Sequence, residues 1–451
     1  MQRTAAAAPE DRLPRSLGAW SGTALLVGLT IGSGIFRVPG GVAAEVGSVG
    51  AVALVWVLGG AVALFGALTF AELATLFPRS GGLYVFLREA YGPLPAFLYG
   101  WTELLVTRPA SLGALAMIFA EYAGTFAPLG GAGVRVLAAA TLVGLSAASW
   151  RSVRWGAALQ DWTTAAKVLA LAGLALVLFA LGDPSAGALA VAPGLAPRTW
   201  GGFGVALVAV LWAYDGWADT TSMAGEVRDP ARVLPRALVG GVLVVVAVYL
   251  AANAAYLYVL PLERVAASPL VASEAATAVL GGAGAAVVAA LVMLSAFGAL
   301  NGAVMTGPRI LFAMAEDGLF FRPVAAVHPR FRTPYVAVAV TGALGVAYLS
   351  LRTFEQLAGA FVLGVWPFYA LAVAGVFVLR RRRPDLPRPY RTLGYPVVPG
   401  VFLLASVALL VNSLVEQTGL TLFGLGVVAA GVPVFYAWRA LSGRRGLGGT
   451  D

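Results

Sequence analysis

LWAYDGWADTTSMAGEVRDPARVLPRAL, residues 211–238, lies inside an apolar segment that begins near Trp200 and is long enough to enter a bilayer. Asp215 stands at its centre, followed by Gly216 and surrounded by Trp212, Tyr214 and Trp217. A carboxylate at membrane depth costs at least about 2.5 kcal/mol and needs a use or a partner. Asp-Gly is also poor helix material, because Gly gives up the most backbone entropy and Asp competes for local hydrogen bonds. The pattern predicts a helix that breaks at about 215–218 and resumes towards Glu226. Broken backbone at that depth persists only where protein buries it or a cavity hydrates it, so the break marks a site.

A second break lies upstream, where Gly28, Gly32, Ser33 and Gly34 interrupt the first apolar segment, about 16–46. These residues weaken a helix and free amides and carbonyls. Taken alone, Gly32-x-Gly34 is equally well explained by close helix packing, as small residues allow in membranes. Two interrupted segments at corresponding positions of two halves, however, point to the binding site of a transporter.

The composition agrees. The chain is 60% hydrophobic and only 11% charged, with a mean hydropathy of +0.86, far from the soluble average. The net charge of +9 does not point to nucleic acid, because the basic residues fall in short loops between apolar runs. The first apolar run is too long, and too poorly supplied with a cleavage site, for a removable signal peptide. There is no cysteine, which excludes thiolate catalysis and disulfides, and the single histidine, His328, sits in a loop beside Pro329, so no histidine metal site and no cofactor is expected.

Apolar windows predict about twelve spans in an all-α polytopic membrane protein. Spans 1 to 5 cover about 17–46, 49–77, 93–126, 134–150 and 156–182. Broken span 6 follows the loop 183–199, and spans 7 to 12 cover about 237–260, 276–314, 334–351, 355–379, 397–415 and 419–440. Since the breaks open spans 1 and 6, five spans (residues 16–182) and five more (200–379) form a 5+5 inverted repeat, with two appended helices (397–440). Tails of residues 1–15 and 441–451 complete the chain. Arg79, Arg88, Arg151, Arg154, Arg228 and the 380–391 cluster fall on the side of the N-terminus, whereas the opposite loops carry only Arg135, Arg198, Arg264 and Arg352. That asymmetry places both termini in the cytoplasm and the protein in the cytoplasmic membrane. The arginine cluster also suits anionic membrane lipid.

Four segments carry a resemblance: GLTIGSGIF, AELATLFPRSGGLYVFLREAYGPLPAFLYGWTELLVTRPAS, WAYDGW…GEVRDPARVLPRA and LSAFGALNGAVMTGPRILFAMAEDG. In order and spacing they resemble the amino acid–polyamine–organocation superfamily, and most of all the L-type amino acid transporter family with its bacterial relatives. RRRPDLPRPYRTLGYPVVP is similar to the family's basic turn after span 10. The resemblance implies alternating access with exchange, or proton-linked uptake, of amino acids. It implies that the amides of Ser33 and Gly34 bind the substrate carboxylate, and that carbonyls of Thr30 and Ile31, with Trp212, Ala213, Tyr214 and Asp215, hold its ammonium group. Gly32 and Gly216 complete the substrate-binding set, Trp212 matches an aromatic gate and Trp366 a pocket aromatic. Elementary electrostatics agrees: a restarted helix offers N–H groups to an anion, and a broken end offers carbonyls to a cation. Animal members pair with a glycoprotein through a cysteine after span 3. This chain has none, so no disulfide-linked glycoprotein subunit is expected. Many members have Gly where Asp215 stands, and the WAYDGW form also resembles members handling dibasic or small hydroxylated amino acids.

Lys167, the only lysine in the chain, stands about 11 residues into span 5, hence ~16 Å along the helix and near the midplane. Arginine cannot replace its chemistry, since a guanidinium stays protonated whereas a desolvated ammonium can lose its proton. In the family it resembles, the matching lysine takes the place of a sodium ion near span 1, which implies sodium-independent transport with Lys167 in coupling and gating. Pairing with Asp161 is the structural alternative. Glu72, Glu103 and Arg108 read either as a proton path or, in preference, as ion pairs positioning spans 2 and 3. Arg37 suits either an anion-drawing vestibule or the membrane interface. Asn301 reads as interhelical glue, and Tyr214 and Trp217 as packing. The main reading is exchange of neutral, small or hydroxylated amino acids; its rivals are proton symport and exchange of cationic for neutral amino acids. An ion channel would want a repeated filter, and none is visible. An intramembrane enzyme would want a Ser-His, HExxH or paired-carboxylate motif, and there is none.

Overall fold

The computed structural model describes residues 13–190, 194, 196–351, 354–416 and 418–446. The chain folds into helices joined by short connections, and among the described residues the only strand-like pairing is one bridge between Leu17 and Val227.

The first span is two helices, α1 (Ala19–Thr30) and α2 (Gly34–Val46), bent by 43° at the glycine-rich break. Gly47, at φ 66°, ends α2 in the left-handed region that glycine enters without steric cost. Ser48 then starts α3 (Val49–Leu76) by accepting the N–H of Ala51, the usual role of an N-terminal serine. The short helix α4 (Leu83–Tyr91) leads to span 3, made of α5 (Pro93–Thr102), one π turn over Glu103–Thr107, and α6 (Arg108–Ala123). Spans 4 and 5 are α7 (Gly131–Arg151) and α8 (Val153–Leu181).

Span 6 opens with α9 (Trp200–Tyr214), breaks at Asp215 and Gly216, and resumes as a 3-10 helix over Ala218–Glu226. It is followed by α10 (Pro230–Val259), then α11 (Leu262–Ala267) and α12 (Val271–Leu280). Span 8 was expected from about 276; instead α12 ends at Gly281, at φ 61°, and the long α13 (Gly282–Glu316) begins beyond it. Its left-handed glycine separates what hydropathy alone merges. The remaining helices are α14 (Tyr335–Leu351), α15 (Phe354–Arg382), α16 (Val397–Glu416) and α17 (Thr418–Gly446).

Among the described residues, ten helices are long and apolar enough to cross a membrane, or eleven with the bent pair α1–α2 as one span. The remaining expected span, span 9 (about 334–351), is the shorter apolar helix α14. The chain is thus an all-helical, polytopic membrane protein. Residues 1–12, Arg352 and residues 447–451 lie outside the described residues, and with them most of both expected tails. Residues 441–446 continue α17 rather than opening a tail. Leu13 is buried, and the Ser16 and Leu17 amides bond Glu226 O, which ties the start of the chain to the end of span 6.

Packing places the two broken spans at the centre. α1 lies against α8, α10 and α13, and α2 and α3 lie against α9. With no water to exclude between helices, small residues set how closely they approach. A Cβ at Gly28 would lie 2.0 Å from Gln160 Nε2, so α1 reaches α8 only because that residue is glycine. Tyr214 packs edge-on to Trp56, and Trp217 against Phe70 at 4.9 Å, which makes both packing residues. Asn301 joins helices as expected, but its partners are Gly156 O and Gln160 Oε1 of α8 rather than span 1. Glu72 does not link spans 2 and 3: it accepts from Arg380 of α15 and from the N–H and hydroxyl of Thr392. Arg37 pairs with Glu121 of α6.

Candidate substrate site

Span 1 leaves the α conformation at Ile31 (ψ 81°), so the carbonyls ending α1 lose their partners one turn ahead. Those of Gly28, Thr30, Ile31 and Gly32 are taken by other helices. Lys167 Nζ donates to Gly28 O at 2.7 Å, to Ile31 O at 2.7 Å and to Ser295 O at 3.2 Å. Ser295 Oγ shares its proton between Ile31 O at 2.8 Å and Gly32 O at 3.0 Å. Asp161, the alternative partner of Lys167, instead accepts from Ser21.

The two breaks touch each other. Gly216, at φ 112°, has room for no side chain, since a Cβ there would lie 3.0 Å from Thr30 N. A Cβ on Gly34 would lie 2.8 Å from the Cα and Cβ of Ala213. Tyr249 of α10 fastens the contact by donating its hydroxyl towards Thr30 O at 2.8 Å and Ala213 O at 3.0 Å. Asp215 closes α9 in an extended conformation and accepts from Tyr369 at 2.9 Å.

A cavity of about 80 Å³ opens where the breaks meet. Thr30, Gly32, Ser33 and Gly34 line it from span 1, and Trp212, Ala213, Asp215 and Gly216 from span 6. Ile31, Tyr214 and Trp366 are not among the lining residues: the Ile31 carbonyl is engaged by Lys167 and Ser295, Tyr214 packs against Trp56, and Trp366 stacks on Phe402. Among the described residues, Thr30 Oγ1 and Ser33 Oγ are buried without a partner, a state that a bound polar molecule relieves. The first N–H groups of α2 have no helical carbonyl behind them and carry the positive end of its dipole. Across the cavity stand the carbonyl end of α9 and Asp215. One wall suits an anion and the other a cation, the two ends of a zwitterion.

Several groups at the site carried no signal of their own in the sequence. Tyr249 and Ser295 sit in apolar helices, where a single hydroxyl looks incidental. Asp219 lines the cavity four residues beyond Asp215 and receives Arg108 Nη1 at 2.8 Å. The readable signal for it is a second carboxylate in span 6, four residues after Asp215, together with an arginine inside span 3.

Comparison with known proteins shows the family of the chain. The amino acid permease family profile matches residues 17–437. The chain is 33% identical over 435 residues to the serine/threonine exchanger SteT of Bacillus subtilis, covering 95% of this chain and 98% of that protein. It is 33% identical over 413 residues to the human b(0,+)-type amino acid transporter 1, covering 90% of this chain and 84% of that one. It is also 33% identical over 436 residues to the human large neutral amino acids transporter small subunit 2, covering 94% and 80%.

Proposed function

Because the chain belongs to the amino acid permease family, we propose that it is a sodium-independent secondary transporter that moves amino acids across the cytoplasmic membrane by alternating access. The observation that carries this reading is the cavity between the N-terminus of α2 and the carbonyl end of α9, with the hydroxyls of Thr30 and Ser33 still unpartnered. The substrate carboxylate lies against the amides of Ser33 and Gly34, and the ammonium group against the carbonyl end of span 6 and Asp215. Exchange of small or hydroxylated neutral amino acids suits a site of this size. The Lys167 side chain on the span-1 carbonyls supports transport without sodium, since its Nζ already occupies the place where a cation would meet them.

Residues 16–182 and 200–379 act as two inverted halves that rock about the breaks, with 397–440 appended. Both termini face the cytoplasm. The protein works without cofactor and without a disulfide-linked glycoprotein subunit, having no cysteine for one, and it performs no chemical conversion.

The test is counterflow in proteoliposomes loaded with one unlabelled amino acid at a time. Uptake of labelled serine or threonine should need internal amino acid, not sodium or a pH gradient. Uptake driven by a pH gradient into empty vesicles would establish proton symport in its place, and uncoupled flux of ions would establish a channel.

A further inference from the structure

Asp219 belongs to a buried group of charges in which the carboxylates outnumber the guanidinium. Span 3 changes from α to π for one turn at Glu103–Thr107, just before Pro109, which has no N–H to give. Such turns cluster at functional positions. In this one, Thr107 Oγ1 and the Arg108 guanidinium both converge on Glu103, with Arg108 Nε 2.6 Å from Glu103 Oε1. The same guanidinium extends Nη1 to Asp219 Oδ2 at 2.8 Å. Room for it comes from Gly307 on α13, where a Cβ would lie 2.5 Å from Arg108 Cδ.

One carboxylate would suffice to neutralise Arg108, yet two carboxyl groups converge on it at membrane depth. The three side chains also differ in access. Arg108 and Glu103 are 2% and 4% exposed, whereas Asp219 is 14% exposed and lines the cavity. Its Oδ2 is held by Arg108, and among the described residues nothing donates to its Oδ1. Asp215 differs: it already receives the Tyr369 hydroxyl. Beyond the two breaks, the cavity wall among the described residues comes from apolar side chains of α6 and α13, Ala110, Ala114, Leu115, Ala299 and Ala303 among them, with the hydroxyl of Ser111 beside them. A substrate anchored by its zwitterion at the breaks therefore extends its side chain towards a wall whose one carboxylate, Asp219, keeps Oδ1 open among the described residues.

We propose that Asp219, held in place by Arg108 and through it by Glu103, selects amino acids whose short side chain ends in a hydrogen-bond donor. The proposal rests on the cavity being the amino acid site. A donor completes the unfilled valence of Asp219, whereas an isosteric methyl group leaves it buried and unpaired. Discrimination against a missing donor is the strong kind that hydrogen-bonding sites achieve. Arg108 acts as a positioning residue.

The test uses the full-length protein in proteoliposomes, with threonine and valine, which share a shape and differ by hydroxyl against methyl, competing for labelled threonine exchange. The wild type should bind threonine at least about tenfold more tightly than valine. Asp219→Ala should bring the threonine-to-valine ratio to about one, because only the donor-bearing substrate loses a partner. Asp219→Asn keeps an acceptor and should retain a threonine preference. Arg108→Lys should lower the ratio more than it lowers valine affinity. A wild-type ratio near one, or an unchanged ratio in Asp219→Ala, overturns the proposal. Equal losses for both substrates in folded Asp219→Asn and Arg108→Lys overturn it too, in favour of a purely structural triad. Should the wild type exchange no amino acid, it is the reading of the cavity as a substrate site that fails instead.

Discussion

Lys167 on α8 donates its ammonium protons to the carbonyl oxygen of Ile31 at 2.7 Å, at the point where span 1 ceases to be a helix. The same Nζ reaches Gly28 O at 2.7 Å, so one cation fastens the broken end of α1 to α8. A carbonyl that loses its helical partner in a buried place costs about 1–3 kcal/mol unless something else donates to it. Lys167 meets that demand twice, and it can release it if the two spans separate during a transport cycle.

Lys167→Ala should therefore leave a folded protein with a lowered melting temperature and at least about tenfold weaker exchange, a loss of about 1.4 kcal/mol in binding terms. Lys167→Arg should not restore it, because a planar fork cannot fit a pocket shaped for a point charge. Exchange measured from both faces of the vesicle decides the matter. Normal exchange by Lys167→Ala from both sides, or a sodium requirement in the wild type, would remove the lysine from the cycle.

Gly34→Ala should abolish amino acid binding while Gly32→Ala weakens it less. The added Cβ at 34 would stand 2.8 Å from the Ala213 backbone and force the two breaks apart, whereas at 32 the nearest atom is 3.8 Å away. Binding isotherms on the two purified variants compare them directly. Equal affinities would separate the span-1 break from the site.

Asp215→Asn preserves an oxygen for the Tyr369 hydroxyl and removes the negative charge. Neutral substrates should keep their affinity within about threefold, while a dibasic competitor such as lysine loses about tenfold or more, the scale of a lost charge-assisted bond of roughly 1.5–3 kcal/mol. Inhibition of labelled threonine uptake by each amino acid gives both numbers. A severe, equal loss for both classes would mean that Asp215 shapes the break rather than reads charge.

Glu72→Gln should lower stability by about 2–3 kcal/mol without altering substrate affinity. Glu72 is fully buried and accepts from Arg380 and Thr392, and breaking such a pair is expensive, although partial exposure of Arg380 reduces the cost. Thermal unfolding and binding measured on one preparation separate the two effects. A shifted affinity at unchanged melting temperature would contradict this role.

The orientation is open to a direct chemical check, because the chain has no cysteine to interfere. A single cysteine at Arg154 should resist an impermeant thiol reagent applied to whole cells, and one at Arg135 should react; both positions are exposed. The reverse pattern would invert the assignment of both termini.

The residues themselves announced the two breaks. Gly28, Gly32, Ser33 and Gly34, and then Asp215-Gly216, are local departures from helix-forming sequence, and local chemistry sets local backbone. The depth of Lys167 was legible for the same reason, as a lone amine in an apolar helix, whereas its place beside span 1 was implied by the resemblance. The reading missed the 3-10 form of the resumed span 6 and the separate α12, because both depend on how a segment is accommodated by its neighbours rather than on its hydropathy.

Sequence by itself thus determined the membrane-spanning class and the position of the breaks, since each follows from transfer energies and backbone propensities that act within one segment. Only the tertiary structure decided which carbonyls Lys167 engages, that Tyr249 joins Thr30 to Ala213, that Glu72 belongs to Arg380, and that Asp219 stands with Arg108 on the cavity wall. The physical reason is that these are pairings between helices separated by tens to hundreds of residues. Each side chain has several chemically adequate partners, and the packing distance set by glycines such as Gly28 and Gly307 determines which of them comes within hydrogen-bonding reach.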